Sequence, residues 1–250
     1  MKAIILAAGE GKRLRPLTYG IPKPLLPVGG RPVIDYVIDN ILKCQEIDTI
    51  YVAVSHMKNS LEAYLAHHEH PGVRIETVAT LAWETGGDLK SVLAQKAIAD
   101  EAVLVCYGDN VTTIDTARLV ADHRKNVGAN ATVTLFEVPG EDAPRFGIAE
   151  MKGNRGRIVR FIEKPKAGET ESRFANAGYF VLEAAALAGV AMERFKIESE
   201  CFPKWAGGGK LFGQIQSVKM WIDIGTLGSY RAANRLVEEI LPPPPQAKKQ

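Results

Sequence analysis

Residues 1–138 alternate between short apolar runs and amphipathic stretches, and this rhythm constrains the fold more than any other feature of the chain. The run at 3–8, Ala-Ile-Ile-Leu-Ala-Ala, reads as a strand buried on both faces, as in a parallel sheet. Residues 49–54, 73–79, 102–107 and 131–138 read as further strands. Residues 33–44 place Ile34, Val37, Ile38 and Ile41 at helical spacing, behind Pro32, which suits a first helical turn. Stretches 60–68, 87–98 and 115–126 read as helices too. Such alternation predicts a doubly wound, mostly parallel, Rossmann-like α/β sheet with helices on both faces. After 138 the rhythm changes. Residues 146–151, 157–162, 177–182, 211–215 and 219–221 read as strands with little helix between them, a smaller antiparallel extension on the ligand side. A last helix runs to about Leu241 and ends at Pro242. Residues 1–241 thus read as a single domain and 242–250 as a disordered tail.

The first strand runs directly into Gly9-Glu10-Gly11-Lys12-Arg13-Leu14-Arg15, and a fourth cation stands between two prolines at Pro22-Lys23-Pro24. Glycines let backbone N–H groups approach an anion, and a loop of this kind after a strand is a common phosphate cradle. It is not a Walker A loop, because Gly11-Lys12 is followed by Arg13 and no glycine stands five residues earlier. It is not a dinucleotide fingerprint, because Leu14 occupies the third small position. Two acids occupy the ends of later strands, Asp109 after 102–107 and Asp223 after 219–221. In doubly wound sheets ligands lie beyond such ends, and paired carboxylates facing phosphates suit Mg²⁺.

The totals narrow the class. The chain has 250 residues, 46% of them hydrophobic, and a formal net charge of +2. That charge gives no general attraction to nucleic acid or to anionic membrane. Cys44, Cys106 and Cys201 are widely spaced and unpaired in pattern, which reads as reduced, buried thiols. With no leader pattern and no run of spanning length, the expectation is a soluble, cytoplasmic protein, a monomer or small homo-oligomer. His67-His68-Glu69-His70 reads as a solvated helix end, and Trp83, Trp205 and Trp221 as packing residues.

Leu6-Ala7-Ala8-Gly9-Glu10-Gly11-Lys12-Arg13-Leu14-Arg15-Pro16-Leu17-Thr18, followed by Pro22-Lys23-Pro24-Leu25-Leu26-Pro27, resembles the signature of the sugar-1-phosphate nucleotidyltransferases, the NDP-sugar pyrophosphorylases. That family usually has Thr where Lys12 stands. Other segments resemble it in order: Glu84-Thr85-Gly86-Gly87 its nucleobase loop, Tyr107-Gly108-Asp109 and Trp221-Ile222-Asp223 its metal segments, and Phe146-Gly147, Glu163-Lys164-Pro165 and Asn176-Ala177-Gly178 its sugar side. The resemblance implies nucleotide binding by Leu6, Ala8, Gly9, Gly11, Lys12, Arg13, Thr85, Gly86 and Gly87. It implies sugar-phosphate binding by Gly147, Glu163, Lys164 and Asn176, catalytic roles for Arg13, Lys23 and Lys164, and Mg²⁺ on Asp109 and Asp223. The expectation from the resemblance is the short form, without the C-terminal β-helix domain that many members carry.

The implied reaction joins a nucleoside triphosphate to a sugar 1-phosphate and releases pyrophosphate. Its nucleophile is a phosphate oxygen, ionised near neutral pH, and the sequence offers no Ser-His-Asp or Cys-His arrangement to suggest otherwise. The Glu84 stretch leans toward guanylyl or uridylyl transfer, with mannose-1-phosphate guanylyltransferases as the likeness. Thymidylyl transfer to glucose 1-phosphate and use of a heptose or cyclitol phosphate stay open. A glycosyltransferase would want an Asp-x-Asp motif, which Asp109-Asn110-Val111 does not supply. A non-catalytic nucleotide-sugar sensor remains as the reading from a different class.

Overall fold

A computed structural model describes residues 1–67, 70–153 and 156–240. Thirteen strands occur among them: β1 (Lys2–Leu6), β2 (Pro27–Val28), β3 (Arg31–Pro32), β4 (Thr49–Val54), β5 (Arg74–Ala79), β6 (Ala102–Tyr107), β7 (Asn110–Thr112), β8 (Ala131–Glu137), β9 (Gly147–Lys152), β10 (Arg157–Glu163), β11 (Phe174–Glu183), β12 (Leu211–Ile215) and β13 (Trp221–Asp223). The α-helices are α1 (Val33–Leu42), α2 (Lys58–Leu65), α3 (Glu84–Gln95), α4 (Thr116–Lys125), α5 (Ile197–Glu200), α6 (Phe202–Gly207) and α7 (Leu227–Ile240). The proposed tail at 242–250, and His68 and Glu69 of the histidine cluster, lie outside the described residues.

Nine strands form one sheet in the order β5-β4-β1-β6-β11-β8-β12-β10-β9. The first four are parallel, as alternation requires. Ala3 and Ile5 of β1 pack into one apolar layer and Ile4 into the other, so both faces are covered. β11 then enters antiparallel between β6 and β8, and β9 and β10 continue antiparallel at the far edge. The antiparallel part is thus the second half of the same sheet. β8 continues the parallel rhythm in sequence but lies two places from β6. The apolar run of β11 carries no mark of direction, so this insertion is a non-local choice that periodicity does not encode.

Some boundaries differ from the sequence expectation. The first strand stops at Leu6, and Ala7 and Ala8 already belong to the loop. The helix read as 87–98 begins at Glu84, and the strand read as 219–221 covers Trp221–Asp223. The stretch from 184 to 207 contains a 3-10 turn, α5 and α6 where little helix was expected. These helices are too short to show a helical period, and Pro203 near the start of α6 reads as a breaker although it suits a first turn.

A third apolar cluster joins Leu14, Leu26 and Val28 to Val33, Tyr36, Val111, Ile224, Ala233 and Val237. It anchors the N-terminal loop and β13 to α1 and α7, and so fixes both beside the strand ends. No helix among the described residues is long and apolar enough to cross a membrane. All three cysteines are buried and free, and burial pushes the Cys201 thiol up to about 11. In the native protein at pH 8 a thiol reagent such as DTNB should therefore modify none of the three within minutes, and all three after denaturation in guanidinium. Fast native modification of Cys201 would contradict its placement.

Candidate active site

The N-terminal loop leaves β1 at Leu6 and turns at Gly11, whose φ of 65° is left-handed. A Cβ on Gly11 would stand 2.9 Å from Thr18 Cγ2. The Gly11 carbonyl accepts from Leu14 N–H at 2.9 Å and from Thr18 Oγ1 at 3.0 Å. Leu14 is fully buried, so the loop is pinned at its far end while Lys12 stays exposed. Lys23 lies in a 3-10 turn behind Pro22, and its ammonium is ion-paired with Asp109.

Asp109 follows β6, and β7 begins at the next residue. β7 pairs antiparallel with β13, with Asp223 opposite Asn110 and the Ile224 N–H donating to the Asp109 carbonyl at 3.0 Å. Two acids 114 positions apart in sequence are thereby set side by side. Among the described residues the Asp223 carboxylate has no hydrogen-bond partner. Burial pushes it up from the usual carboxylate range, Asp109 pushes it further, and Lys23, Arg13 and Arg145 oppose both.

Two cavities meet here, and Tyr107 and Asp109 line both. The first, of about 360 Å³, is lined by Leu6 to Lys12, Lys23, Pro24, Ala82, Glu84, Thr85, Asp88, Gly108 and Arg194. The second, of about 320 Å³, is lined by Arg13, Asn110, Arg145, Phe146, Gly147, Glu163, Lys164, Asn176, Gly178, Glu198, Trp221, Asp223, Thr226 and Ser229. Leu6, Ala8, Gly9, Gly11, Lys12, Lys23 and Thr85 thus share one space, and Gly147, Glu163, Lys164, Asn176 and Asp223 the other. Arg13 belongs to the second cavity, beside Asp223, although its neighbour Lys12 faces the first. Gly86 and Gly87 line neither. Both donate their N–H groups to the Phe195 carbonyl, at 3.0 and 3.2 Å.

The second cavity takes its shape from the far half of the sheet. Lys164 has a left-handed backbone (φ 52°), and its N–H donates to the Phe146 carbonyl at 2.9 Å. Its ammonium is exposed, 3.9 Å from Glu163 Oε1. Burial pushes the Glu163 carboxyl up, against the pull of Lys164 and Lys196. Asn176 Oδ1 accepts from Gly178 N–H at 2.9 Å, at an irregularity in the β11–β8 pairing. Asn110 Nδ2 and Trp221 Nε1 both donate to the Ala177 carbonyl, at 3.0 and 2.8 Å, tying β7 and β13 to β11.

Sequence reasoning did not single out Arg145, Arg194 or Glu198. Arg145 adjoins the Phe146-Gly147 segment, which was a usable signal. Arg194 is ion-paired with Glu84 at 2.7 Å, and Glu198 is buried at 6% exposure; neither has a local pattern to mark it.

The donors present suit a hard divalent cation. No group of three His, Cys, Asp or Glu side chains gathers among the described residues. Mg²⁺ does not need one, because it keeps several waters and takes one or two carboxylates plus substrate phosphate oxygens. The unpartnered Asp223 carboxylate beside Asp109 is the feature a cation would relieve.

The family model for nucleotidyl transferases matches residues 2–240, and the chain belongs to that family. It is 31% identical over 246 residues to a UTP–glucose-1-phosphate uridylyltransferase of Synechocystis sp., covering 94% of this chain and 63% of the relative. It is 31% identical over 233 residues to the mannose-1-phosphate guanylyltransferase catalytic subunit beta of Danio rerio, covering 90% of this chain and 61% of that one. The chain spans about three fifths of the length of these relatives. A crystal structure from Bacillus anthracis, described as a candidate glucose-1-phosphate thymidylyltransferase in complex with a sucrose, superposes with a TM-score of 0.82 at 26% identity, covering 96% of both chains.

Glu163 gives a test of the site's electrostatics. Its folded-state pKa lies above the unfolded value of about 4.3, so its ionisation opposes folding at neutral pH, and the penalty vanishes below that value, where both states are protonated. Glu163→Gln should raise the melting temperature of the ligand-free protein at pH 7 and leave it unchanged near pH 3.5. A loss of stability at pH 7 would show that the carboxylate is satisfied.

Proposed function

We propose that the protein is a Mg²⁺-dependent sugar-1-phosphate nucleotidyltransferase, converting a nucleoside triphosphate and a sugar 1-phosphate to an NDP-sugar and pyrophosphate. The observation that carries this reading is the β7–β13 pairing, which sets Asp109 and Asp223 where a cavity lined by a glycine and lysine loop meets one lined by Glu163, Lys164 and Asn176. Residues 1–241 form the one nucleotidyltransferase domain in this reading.

The triphosphate occupies the first cavity, cradled by the backbone of Gly9 and Gly11. Lys12 and Lys23 neutralise the β- and γ-phosphates, and Lys23 exchanges its Asp109 partner for phosphate. The sugar 1-phosphate occupies the second cavity, its phosphate by Lys164 and its ring by Gly147, Glu163 and Asn176. A phosphate oxygen of the sugar attacks the α-phosphorus. A new P–O bond forms as the bond to the bridging oxygen breaks, and pyrophosphate leaves with that electron pair. No general base is required. Arg13, beside Asp223, stabilises the charge that develops at the junction. Mg²⁺ on Asp109 and Asp223 would neutralise phosphate charge of both substrates. Catalysis of this kind rests on positioning and preorganised charge.

Guanosine or uridine is the favoured base and mannose or glucose the favoured sugar, supported by the Glu84-Thr85-Gly86-Gly87 stretch and by the relatives named above. Pyrophosphate release should be followed for GTP, UTP, dTTP, ATP and CTP against mannose, glucose, heptose and amino-sugar 1-phosphates. Release should require both substrates and cease with EDTA. Arg13→Ala and Asp109→Ala should each lower turnover on the order of 10²–10³-fold. Near-normal turnover in either variant would contradict these roles. Sugar transfer without pyrophosphate, or binding without turnover, would replace the reading with a glycosyltransferase or a sensor.

A further inference from the structure

Thr85 sits in the first turn of α3, on the rim of the cavity assigned to the nucleotide. Its hydroxyl is engaged elsewhere. Oγ1 accepts from the Ile197 N–H at 3.2 Å and donates to Glu198 Oε2 at 2.6 Å. This link belongs to a longer seam. The Gly86 and Gly87 N–H groups donate to the Phe195 carbonyl, the Phe195 N–H donates to the Trp83 carbonyl at 3.2 Å, and Arg194 pairs with Glu84. There is no slack in it: a Cβ on Gly86 would stand 2.1 Å from the Phe195 ring, and one on Gly87 2.5 Å from the Glu193 carbonyl oxygen. Glu84 itself is held at a φ of 62°, a strained value that persists only where its surroundings enforce it. Residues 193–198 therefore cannot shift without moving 83–87.

The seam delivers Glu198. Its side chain lines the second cavity, at 6% exposure, alongside Glu163 and Asn176. Burial pushes its carboxyl up, Glu84 pushes it further, and the Thr85 hydroxyl and its own backbone N–H oppose the shift. A carboxyl group this deep needs hydrogen-bond donors, because burying it without them is costly. Thr85 supplies one to Oε2. A sugar ring in the cavity has hydroxyl groups to supply others.

We propose that Thr85 is a positioning residue for the sugar and not a nucleotide ligand: it holds Glu198 in place, and Glu198 selects among sugar 1-phosphates by the arrangement of their ring hydroxyl groups. The inference rests on the nucleotidyltransferase reading above and assigns one of its nucleotide-side residues to the other substrate. It also gives the seam a role, because the rim of the nucleotide cavity and the sugar-selecting carboxyl become one rigid unit.

The test uses Thr85→Val, Thr85→Ser and Glu198→Gln in the full chain, each checked for folding by thermal melting. UTP and GTP affinities are measured by calorimetry without sugar. KM values for mannose 1-phosphate and glucose 1-phosphate are measured by pyrophosphate release. Thr85→Val should raise the sugar 1-phosphate KM on the order of tenfold, the effect of one lost buried hydrogen bond to a charged group. Its nucleotide affinity should stay within twofold of wild type, and Thr85→Ser should restore the KM. Glu198→Gln, which keeps an acceptor for Thr85, should change the ratio of the two sugar 1-phosphates. Nucleotide affinity lost in Thr85→Val, or sugar KM unmoved in both Thr85→Val and Glu198→Gln, overturns the inference and leaves the enzyme reading standing. Wild-type protein that releases no pyrophosphate with any pair overturns the enzyme reading, and the inference with it.

Discussion

The site depends on two like charges being forced together. Asp109 and Asp223 are brought to one junction by the short β7–β13 ladder and by the bond from Ile224 to the Asp109 carbonyl. That arrangement is unfavourable by itself: burial first, and the Asp109 charge after it, push the Asp223 carboxyl up. It persists because β13 is held from both sides. Trp221 donates to Ala177 of β11 and stacks on Phe136, and Ile224 is fully buried with Leu14 and Val237. The apolar packing of these neighbours holds an electrostatic conflict in place at the site.

Cations answer that conflict in part. Lys23 pairs with Asp109, while Arg13 and Arg145 act on Asp223 without contact. The two acids are therefore unequal: one carries a local counter-ion and the other lacks a partner among the described residues. This asymmetry suits a site that exchanges a lysine contact for phosphate as a charged substrate arrives. The partition of the loop fits the same account. Lys12 faces one cavity and Arg13 the other, so adjacent residues serve opposite sides of the junction.

Much of this was legible in the sequence, for identifiable reasons. β1, β4 and β6 are continuous apolar runs because both faces of the sheet are covered, and both acids stand at or just after strand ends. The placement of β11 was not legible, since an apolar strand reads the same in either direction and its partners are distant. The start of α3 was missed because Trp83, not Ser, Thr, Asp or Asn, stands at its N-cap; the entry is fixed by Asp88, whose Oδ1 accepts from the Trp83 N–H, and by Arg194, 110 positions beyond its partner Glu84. Glu198 was hidden for a similar reason. In Lys196-Ile197-Glu198-Ser199-Glu200 it looks like one more surface charge, and the packing of α5 against α3, α6 and β10, distant or invisible in the local pattern, buries it.

The central claim is that Asp109 and Asp223 serve one cation together with the triphosphate. Electron paramagnetic resonance of Mn²⁺ binding, in the presence of UTP or GTP, tests it on wild type and on Asp109→Asn and Asp223→Asn. The account predicts nucleotide-dependent Mn²⁺ binding by wild type, weakened about tenfold or more in each variant. Full-strength binding in either variant would show that its carboxylate takes no part, and the shared site would be wrong.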